Sequence, residues 1–179
     1  PPEFFAGLDQ EAEAATRRGR AELGRFAPLC QLAVAKSEFS RADLVAAGFA
    51  ATASLPVRVD FEALDGACDQ ALLAELRAGP PSLLTVGRVV PSKRIEDVVK
   101  VFAYYRRAEP AARLYCVGSH DERGPYMAYL RWLVRRLGLA EAVHFTGQVG
   151  NAQRGAYYRG CRVYLSMSYS DPDVRALRA

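Results

Sequence analysis

The chain has 179 residues, half of them hydrophobic and a quarter charged, which is the composition of a soluble globular protein that can bury a core. Its formal net charge of +4 suits an anionic substrate or an anionic membrane surface, but the charge is too diffuse to indicate a nucleic-acid-binding protein. No stretch is long and apolar enough for a transmembrane helix, and the first residues, PPEFF, lack the features of a signal peptide, so we expect a cytoplasmic protein.

The first fifty residues predict short helices around one strand. Asp9 suits the N-cap of a helix that runs to about Phe26. A short strand is expected at 31–35. A capping box that starts at Ser40 then predicts a second helix, which ends at Gly48.

A boundary between two units is expected between Thr52 and Pro81. An extended segment at 52–59 is followed by a polar stretch that contains glycine, and then by a short helix at 70–77. Gly79, Pro80 and Pro81 interrupt that helix, and such a run is typical of a boundary.

Residues 83–119 predict a strand, a turn, a helix and a second strand. The runs 83–86 and 114–117 are apolar and of buried-strand type, and they end in Gly87 and Gly118. Apolar residues recur at helical spacing between them: Ile95, Val98, Val99 and Phe102. Parallel strands joined by a crossover helix bring their carboxyl ends to one edge, where open α/β sheets bind ligands.

The same alternation continues to the end of the chain. An amphipathic helix stops at Gly138, and its arginines are expected to solvate it. A strand at 143–145, a helix at 152–159 and a strand at 163–166 follow. We therefore predict an α/β fold with a Rossmann-like parallel sheet and helices on both faces.

Two cations, Arg88 and Lys93, follow the first strand of the 83–119 segment. Arg88 can donate two hydrogen bonds to a phosphate, Lys93 can supply a mobile charge, and the next helix N-terminus adds unpaired N–H groups. We interpret the pair as a diphosphate site. Solvated loop charges would explain the same two residues equally well.

Several other chemical sites are disfavoured. The segment 87–94 has the spacing of a P-loop, but Ser92 replaces the second glycine and Arg94 replaces the magnesium-binding hydroxyl. No G-x-G-x-x-G follows either strand, so a nicotinamide enzyme is disfavoured as well. Asp171 and Asp173 have metal-ligand spacing, but they flank a proline in a polar tail, and we reject them as a metal site.

Cysteines and histidines indicate no further chemistry. The four cysteines, at positions 30, 68, 116 and 161, are far apart and are expected to be reduced, with Cys116 and Cys161 as small buried residues. His144 lies in an apolar strand and is expected to be structural. His120 stands beside two acidic residues, but no set of partners is expected to make it a base.

Several strings together resemble the nucleotide-sugar-binding lobe of retaining GT-B glycosyltransferases. These are VGR at 86–88, Lys93, YCVG at 115–118 and VHFTGQV at 143–149, in one order with sensible spacings. Three upstream strings are similar to the end of the acceptor lobe and the interdomain linker: PPEFF at 1–5, SEFS at 37–40 and LPVRVDFEAL at 55–64. The resemblance implies a remnant of the acceptor lobe at 1–57, a linker at 58–81 and an incomplete donor lobe at 82–179.

The resemblance also implies roles for individual residues. Arg88 and Lys93 would be catalytic, because they would stabilise the donor diphosphate. Donor-binding roles fall to Gly87, Gly118, Gly147, Gln148 and Val149, with Gln148 and Val149 reading the base largely through backbone groups.

The implied activity is transfer of a hexose with retention, in glycan or polysaccharide biosynthesis. The implied partners are a nucleotide-diphosphate-sugar donor and a glycan or lipid-linked acceptor, with no metal or other cofactor and no nucleic acid. Peripheral association with the inner face of the cell membrane is compatible with this interpretation.

The sequence departs from the family pattern after Ser168. The family continues with a glutamate, a glycine-rich turn and a second glutamate, whereas this chain has Tyr169 and Ser170 followed by Asp171. A truncation, an omitted segment or a degenerate copy would each explain this. The alternative function is therefore a non-catalytic module of the same fold that binds a nucleotide, a phosphorylated ligand or a protein.

Overall fold

The computed structural model describes residues 10–58, 66 and 68–168. The chain divides into two compact units, Pro1–Asp60 and Phe61–Ala179. This division falls inside the segment predicted as a linker, and the assignment of the units to an acceptor and a donor lobe stays a prediction. Several sequence features lie outside the described residues: the N-cap Asp9, the string PPEFF, part of LPVRVDFEAL, and the polar tail that contains Asp171 and Asp173.

Residues 10–58, the described part of the first unit, contain two α-helices and a small parallel sheet. Their elements are α1 (Gln10–Phe26), a 3-10 turn (Ala27–Leu29), β1 (Ala33–Ala35), α2 (Glu38–Ala46) and β2 (Thr52–Ser54). Strands β1 and β2 pair in parallel, with Ala33 opposite Thr52.

The start of α2 corrects one prediction. Ser37, not Ser40, is the N-cap: it has an extended backbone, and its side chain accepts a hydrogen bond of 3.2 Å from the Ser40 N–H. The Ser37 carbonyl also accepts the first helical hydrogen bond, from the Arg41 N–H at 2.9 Å. Two serines three residues apart offered two possible caps, and the helix begins after the earlier one.

The second unit alternates strands and helices. Its described elements are α3 (Gln70–Ala78), β3 (Ser82–Val86), a 3-10 turn (Pro91–Lys93), α4 (Ile95–Ala108), β4 (Arg113–Val117), α5 (Pro125–Arg136), β5 (Val143–Gly147), α6 (Asn151–Gly160) and β6 (Val163–Tyr164). The four strands form one parallel sheet in the order β5-β4-β3-β6. The predicted α/β class is confirmed.

Adjacent residues of the strands point to opposite faces of this sheet, and each face is covered by helices. Leu83 and its partner Leu114 pack with the inner faces of α4 and α5 in the larger core, where Val98, Val99, Phe102 and Leu130 have almost no exposed surface. Leu84 packs on the other face with Leu76 of α3 and Tyr157 of α6. The strands are thus packed between two layers of helices, and the loops at their carboxyl ends start from this buried sheet.

The pairing of β4 with β5 contains a β-bulge. Cys116 is opposite Phe145, but Val117 is opposite Gly147, so Thr146 is an extra residue on β5. The Thr146 hydroxyl donates a hydrogen bond of 3.1 Å to the Gly147 carbonyl. The bulge therefore sets the direction in which the chain leaves the sheet.

Candidate functional site

Three strands end side by side in glycines, and we call this edge the glycine rim: Gly87, Gly118 and Gly147. The Gly87 N–H donates to the Val117 carbonyl, and the Gly118 N–H donates to the Gly147 carbonyl, each at 2.9 Å. All three glycines have positive φ angles, of 151°, 148° and 73°. The backbones of the three loops consequently pack directly against one another.

Gly118 shows how closely these backbones approach. A Cβ atom on Gly118 would lie 2.0 Å from the Gly87 oxygen and 2.6 Å from the Gly87 carbonyl carbon. No side chain fits there. The strand-ending glycines singled out by the sequence thus have a structural requirement of their own, apart from any role in ligand binding.

Arg88 and Lys93 both lie next to this rim. Arg88 directly follows Gly87, and Lys93 ends the 3-10 turn that precedes α4; both side chains are exposed. A Cβ on Gly87 would lie 3.8 Å from the Lys93 Cε, so the lysine stem reaches back to the end of β3. Within the described part of the chain, neither side chain has a hydrogen-bond or ion-pair partner. The two charges are therefore available to a ligand.

Arg94 behaves differently from its two neighbours. Its backbone is left-handed, with a φ of 51°, and its guanidinium lies 2.6 Å from Asp97 and 3.1 Å from Glu96. Burial acts to raise the pKa of the Asp97 carboxyl, but the hydrogen bonds and charges of Arg94 and Lys100 together outweigh it and lower that pKa. Arg94 is therefore a structural cation at the start of α4.

The N-terminus of α4 is already occupied, and this corrects the expectation of free N–H groups. The Ile95 N–H donates to the Tyr126 hydroxyl at 2.9 Å, and that hydroxyl donates to the Glu96 carboxylate. Burial, and then the contact with Glu96, raise the pKa of Tyr126, so the phenol keeps its proton. A diphosphate at this rim would be held by side chains more than by this helix end.

A cavity of about 360 Å³ lies beside the ends of β4 and β5. It is lined by Ser119, His120, Glu122, Phe145, Thr146, Gly147 and Gln148. Two of the predicted donor-binding residues, Gly147 and Gln148, line this cavity. Arg88 and Lys93 do not line it. The Val149 side chain packs against the core that contains Leu84 and Tyr157.

One set of contacts in this cavity was missed by the sequence analysis. His120 is almost buried, with 7% of its side chain exposed, and its Nε2 lies 2.7 Å from a Glu122 oxygen. Glu122 also pairs with Arg131, and the hydrogen bonds from His120 and Arg131 lower its pKa. The sequence predicted no set of partners that would make His120 a base, and the structure gives it one acidic partner, Glu122. The string His-Asp-Glu was the available signal, but the contribution of Arg131 depends on the fold.

The surroundings of His144 agree with the structural role expected for it. Its ring stacks on Tyr115 of the neighbouring strand, with centroids 5.1 Å apart. Burial, and then the nearby charge of Arg113, lower the pKa of His144 and favour the neutral ring.

The described residues contain no group of three or more histidine, cysteine, aspartate or glutamate side chains that could hold a metal ion. Within the same ranges, no helix has both the length and the apolar character needed to cross a membrane. All four cysteines are unpaired; Cys116 is buried and Cys161 half-buried.

Comparison with known proteins points to one family. Residues 74–173 match the family model described as Glycosyl transferases group 1. The chain is 29% identical over 105 residues to the alpha-monoglucosyldiacylglycerol synthase of Streptococcus pneumoniae, a match that covers 55% of this chain and 23% of that protein. It is 34% identical over 95 residues to a GDP-mannose-dependent phosphatidylinositol monomannoside mannosyltransferase of Mycobacterium tuberculosis, covering 50% of this chain and 24% of the relative.

Solved structures share the fold. The Anabaena protein Alr3699/HepE, in complex with UDP and glucose, superposes with a TM-score of 0.69 at 20% identity, over 83% of this chain and 42% of that one. The sucrose-phosphate synthase of Thermosynechococcus elongatus gives a TM-score of 0.69 at 23% identity, over 87% of this chain and 39% of that one. The chain therefore spans about a quarter of the curated relatives and less than half of these structures.

Proposed function

Because this chain belongs to the group 1 glycosyl transferases, we propose that it supplies part of the donor site of an enzyme that transfers a sugar from a nucleotide diphosphate to an acceptor hydroxyl. One observation carries the proposal: Arg88 and Lys93, two exposed cations with no partner in the described part of the chain, lie beside the glycine rim. The diphosphate leaving group gains negative charge as the bond to the sugar breaks. Cations positioned in advance stabilise that charge in the transition state.

The two cations divide the work according to their chemistry. The Arg88 guanidinium can bind two phosphate oxygens at once, and the flexible Lys93 ammonium can follow the charge as it moves to the leaving group. We propose that these two charges make a metal ion unnecessary, and that donor binding is unchanged by a chelator. Transfer of a hexose with retention is proposed on the sequence resemblance.

We place the nucleotide base at the cavity beside the ends of β4 and β5. Gly147 and Gln148 line this cavity, and the Val149 side chain is directed into the core. The base would accordingly meet backbone groups of 147–149 and the Gln148 side chain. Gly87 and Gly118 would let the donor approach the backbone at the rim.

The names of the relatives support a lipid-linked or glycan acceptor. One curated relative is named as an alpha-monoglucosyldiacylglycerol synthase and the other as a phosphatidylinositol monomannoside mannosyltransferase. We propose that the whole protein works in glycolipid or polysaccharide biosynthesis, at the cytoplasmic face of a membrane with which it associates peripherally.

Calorimetric titration of the chain with UDP, GDP and ADP tests the donor site. We expect Arg88→Ala and Lys93→Ala each to weaken nucleotide binding at least about tenfold, because each removes a charged hydrogen bond that contributes about 1.5–3 kcal/mol. The matched control is Arg77→Ala, which removes an exposed arginine from α3. Unchanged binding in both rim variants, with the fold intact, would refute the site.

The departure after Ser168 favours a second function, a module that binds nucleotide without catalysis. Tyr169 stands where the family pattern has its first glutamate. Assays of the whole protein separate the two functions, because a catalyst releases free nucleotide from the sugar donor while a binding module leaves the donor intact.

A further inference from the structure

We propose that the outer surface of α5, together with the adjoining face of α4, docks on an anionic lipid bilayer. This docking surface consists of Arg131, Trp132, Arg135 and Arg136 on α5 and Tyr104 and Arg107 on α4. The inference rests on the proposed peripheral association with a membrane, and it names the surface and the lipid charge that would produce it.

The two faces of α5 differ sharply. Its inward residues fill the larger core: Tyr126, Met127, Leu130, Leu133 and Val134. Trp132 points away from that core with 53% of its surface exposed, and its ring stacks on Tyr129 with centroids 6.0 Å apart. An exposed indole is costly in water, but it suits the headgroup region of a bilayer, where one part of the ring is wet and the rest is apolar.

The charge around Trp132 is positive and largely unneutralised. The helix contains no aspartate or glutamate. Arg135 and Arg136 are exposed and have no acidic partner among the residues that the structure describes, whereas Arg131 pairs with Glu122. Two simpler reasons could account for these arginines. Arginines in the last turn of a helix interact favourably with the helix dipole, and arginines also keep the outer face of a helix in contact with water. Neither reason explains why a tryptophan is exposed between them.

Helix α4 extends the same character on the same side of the sheet. Tyr104 is 73% exposed, and the Arg107 guanidinium lies 5.8 Å from its ring centre. Asp97 does not oppose this charge, because it is paired with Arg94 and Lys100. Exposed acids also adjoin these helices: Glu122 pairs with Arg131, and Glu109 lies at the end of α4.

Charge complementarity favours an anionic bilayer as the partner. Lipid phosphates accept hydrogen bonds from arginine, and a negative leaflet attracts clustered basic residues within a Debye length of its surface. Aromatic rings beside those arginines then enter the interface. A purely electrostatic partner would use the arginines and leave the indole in water.

The fluorescence of Trp132 gives a direct test, because it is the single tryptophan of the chain. The chain is mixed with vesicles of phosphatidylcholine alone or of phosphatidylcholine with phosphatidylglycerol. We expect a blue shift of the emission and quenching by brominated acyl chains only with the anionic vesicles, and reversal by salt. Arg135→Gln with Arg136→Gln should weaken vesicle binding at least tenfold.

The matched control is Arg77→Gln with Arg154→Gln, which removes the same charge from the helices on the opposite sheet face. It should bind vesicles as the unaltered chain does. Absence of a blue shift, or equal loss of binding in both double variants, would overturn the docking surface. UDP titration of the same samples separates this result from a failure of the donor site, because the docking surface includes neither Arg88 nor Lys93.

Discussion

All three glycines of the rim have positive φ angles, and one of them is also fixed by the distance between two backbones. That residue is Gly118, since any side chain there would overlap the carbonyl group of Gly87. The rim is thus shaped by the absence of side chains at adjacent strand ends. The exposed side chains of Arg88 and Lys93 lie next to the glycine rim.

We predict that Gly118→Ala destabilises the protein by about 3 kcal/mol or more, because the backbone of one strand end must move. Gly138→Ala is the matched control: that residue also has a positive φ, of 68°, but a Cβ added there would meet nothing within 4 Å beyond its chain neighbours. We expect a cost of about 1–2 kcal/mol there, from conformation alone. Urea unfolding measures both, and equal losses would contradict the role given to close approach.

At the level of single residues, the sequence located positions at the strand ends where the signal was local. Gly87 and Gly118 could be identified because each ends an apolar run, and Arg88 and Lys93 because they follow one of those runs. The ion pair of Arg94 with Asp97 could not be predicted, because Arg94 has a left-handed backbone that nothing in the sequence requires. The role of Arg88 and Lys93 in donor binding stays a prediction.

At the level of elements, α4 and α5 are joined by a hydrogen bond that crosses thirty-one positions of sequence. Tyr126 of α5 caps the start of α4 by accepting from the Ile95 N–H, and it donates to Glu96. The contact holds together the two helices that cover the larger core. It also fixes the point at which the loop carrying Arg88 and Lys93 ends.

We predict that Tyr126→Phe lowers the free energy of unfolding by about 1–3 kcal/mol, because it leaves a buried N–H without an acceptor. Tyr129→Phe on the same helix is the control, since no hydrogen bond of its hydroxyl is found among the described residues. It should change the stability by less than about 0.5 kcal/mol. Equal stabilities of the two variants in urea would refute the capping role.

Helices and strands were largely predictable because their apolar periods are plain. The strands at 82–86 and 113–117 differ from the expected ranges by one residue, and α4 has its predicted buried face. The cap of α2 was misplaced because Ser37 and Ser40 present the same local chemistry. The Tyr126 cap was not predictable at all, because it needs the packing of two helices to be known first.

At the scale of the whole molecule, the unfolding of each of the two units can be followed by the reactivity of a cysteine that belongs to it. Cys30 belongs to the first unit and is exposed, whereas Cys116 lies inside the sheet of the second. Burial raises the pKa of the Cys116 thiol to about 12, so little thiolate forms while the sheet is intact.

We predict that iodoacetamide alkylates Cys30 rapidly in the native protein and Cys116 only when the second unit unfolds. Peptide mass spectrometry after timed alkylation measures each site, and alkylation in urea provides the control in which both react. Gly118→Ala should speed the modification of Cys116 and leave that of Cys30 unchanged. Rapid alkylation of Cys116 in the unaltered native chain would contradict its place in the core.

The bulge at Thr146 matters to anyone who exchanges segments between this chain and its relatives. Two residues of β5, Thr146 and Gly147, lie opposite one residue of β4, Val117. Every residue after the bulge is therefore shifted by one position relative to a strand without a bulge. A transplanted loop lacking its own extra residue would turn the side chain of residue 149 out of the core and that of residue 148 into it. Chimeras should therefore be joined before Phe145 or after Gly150, never between them.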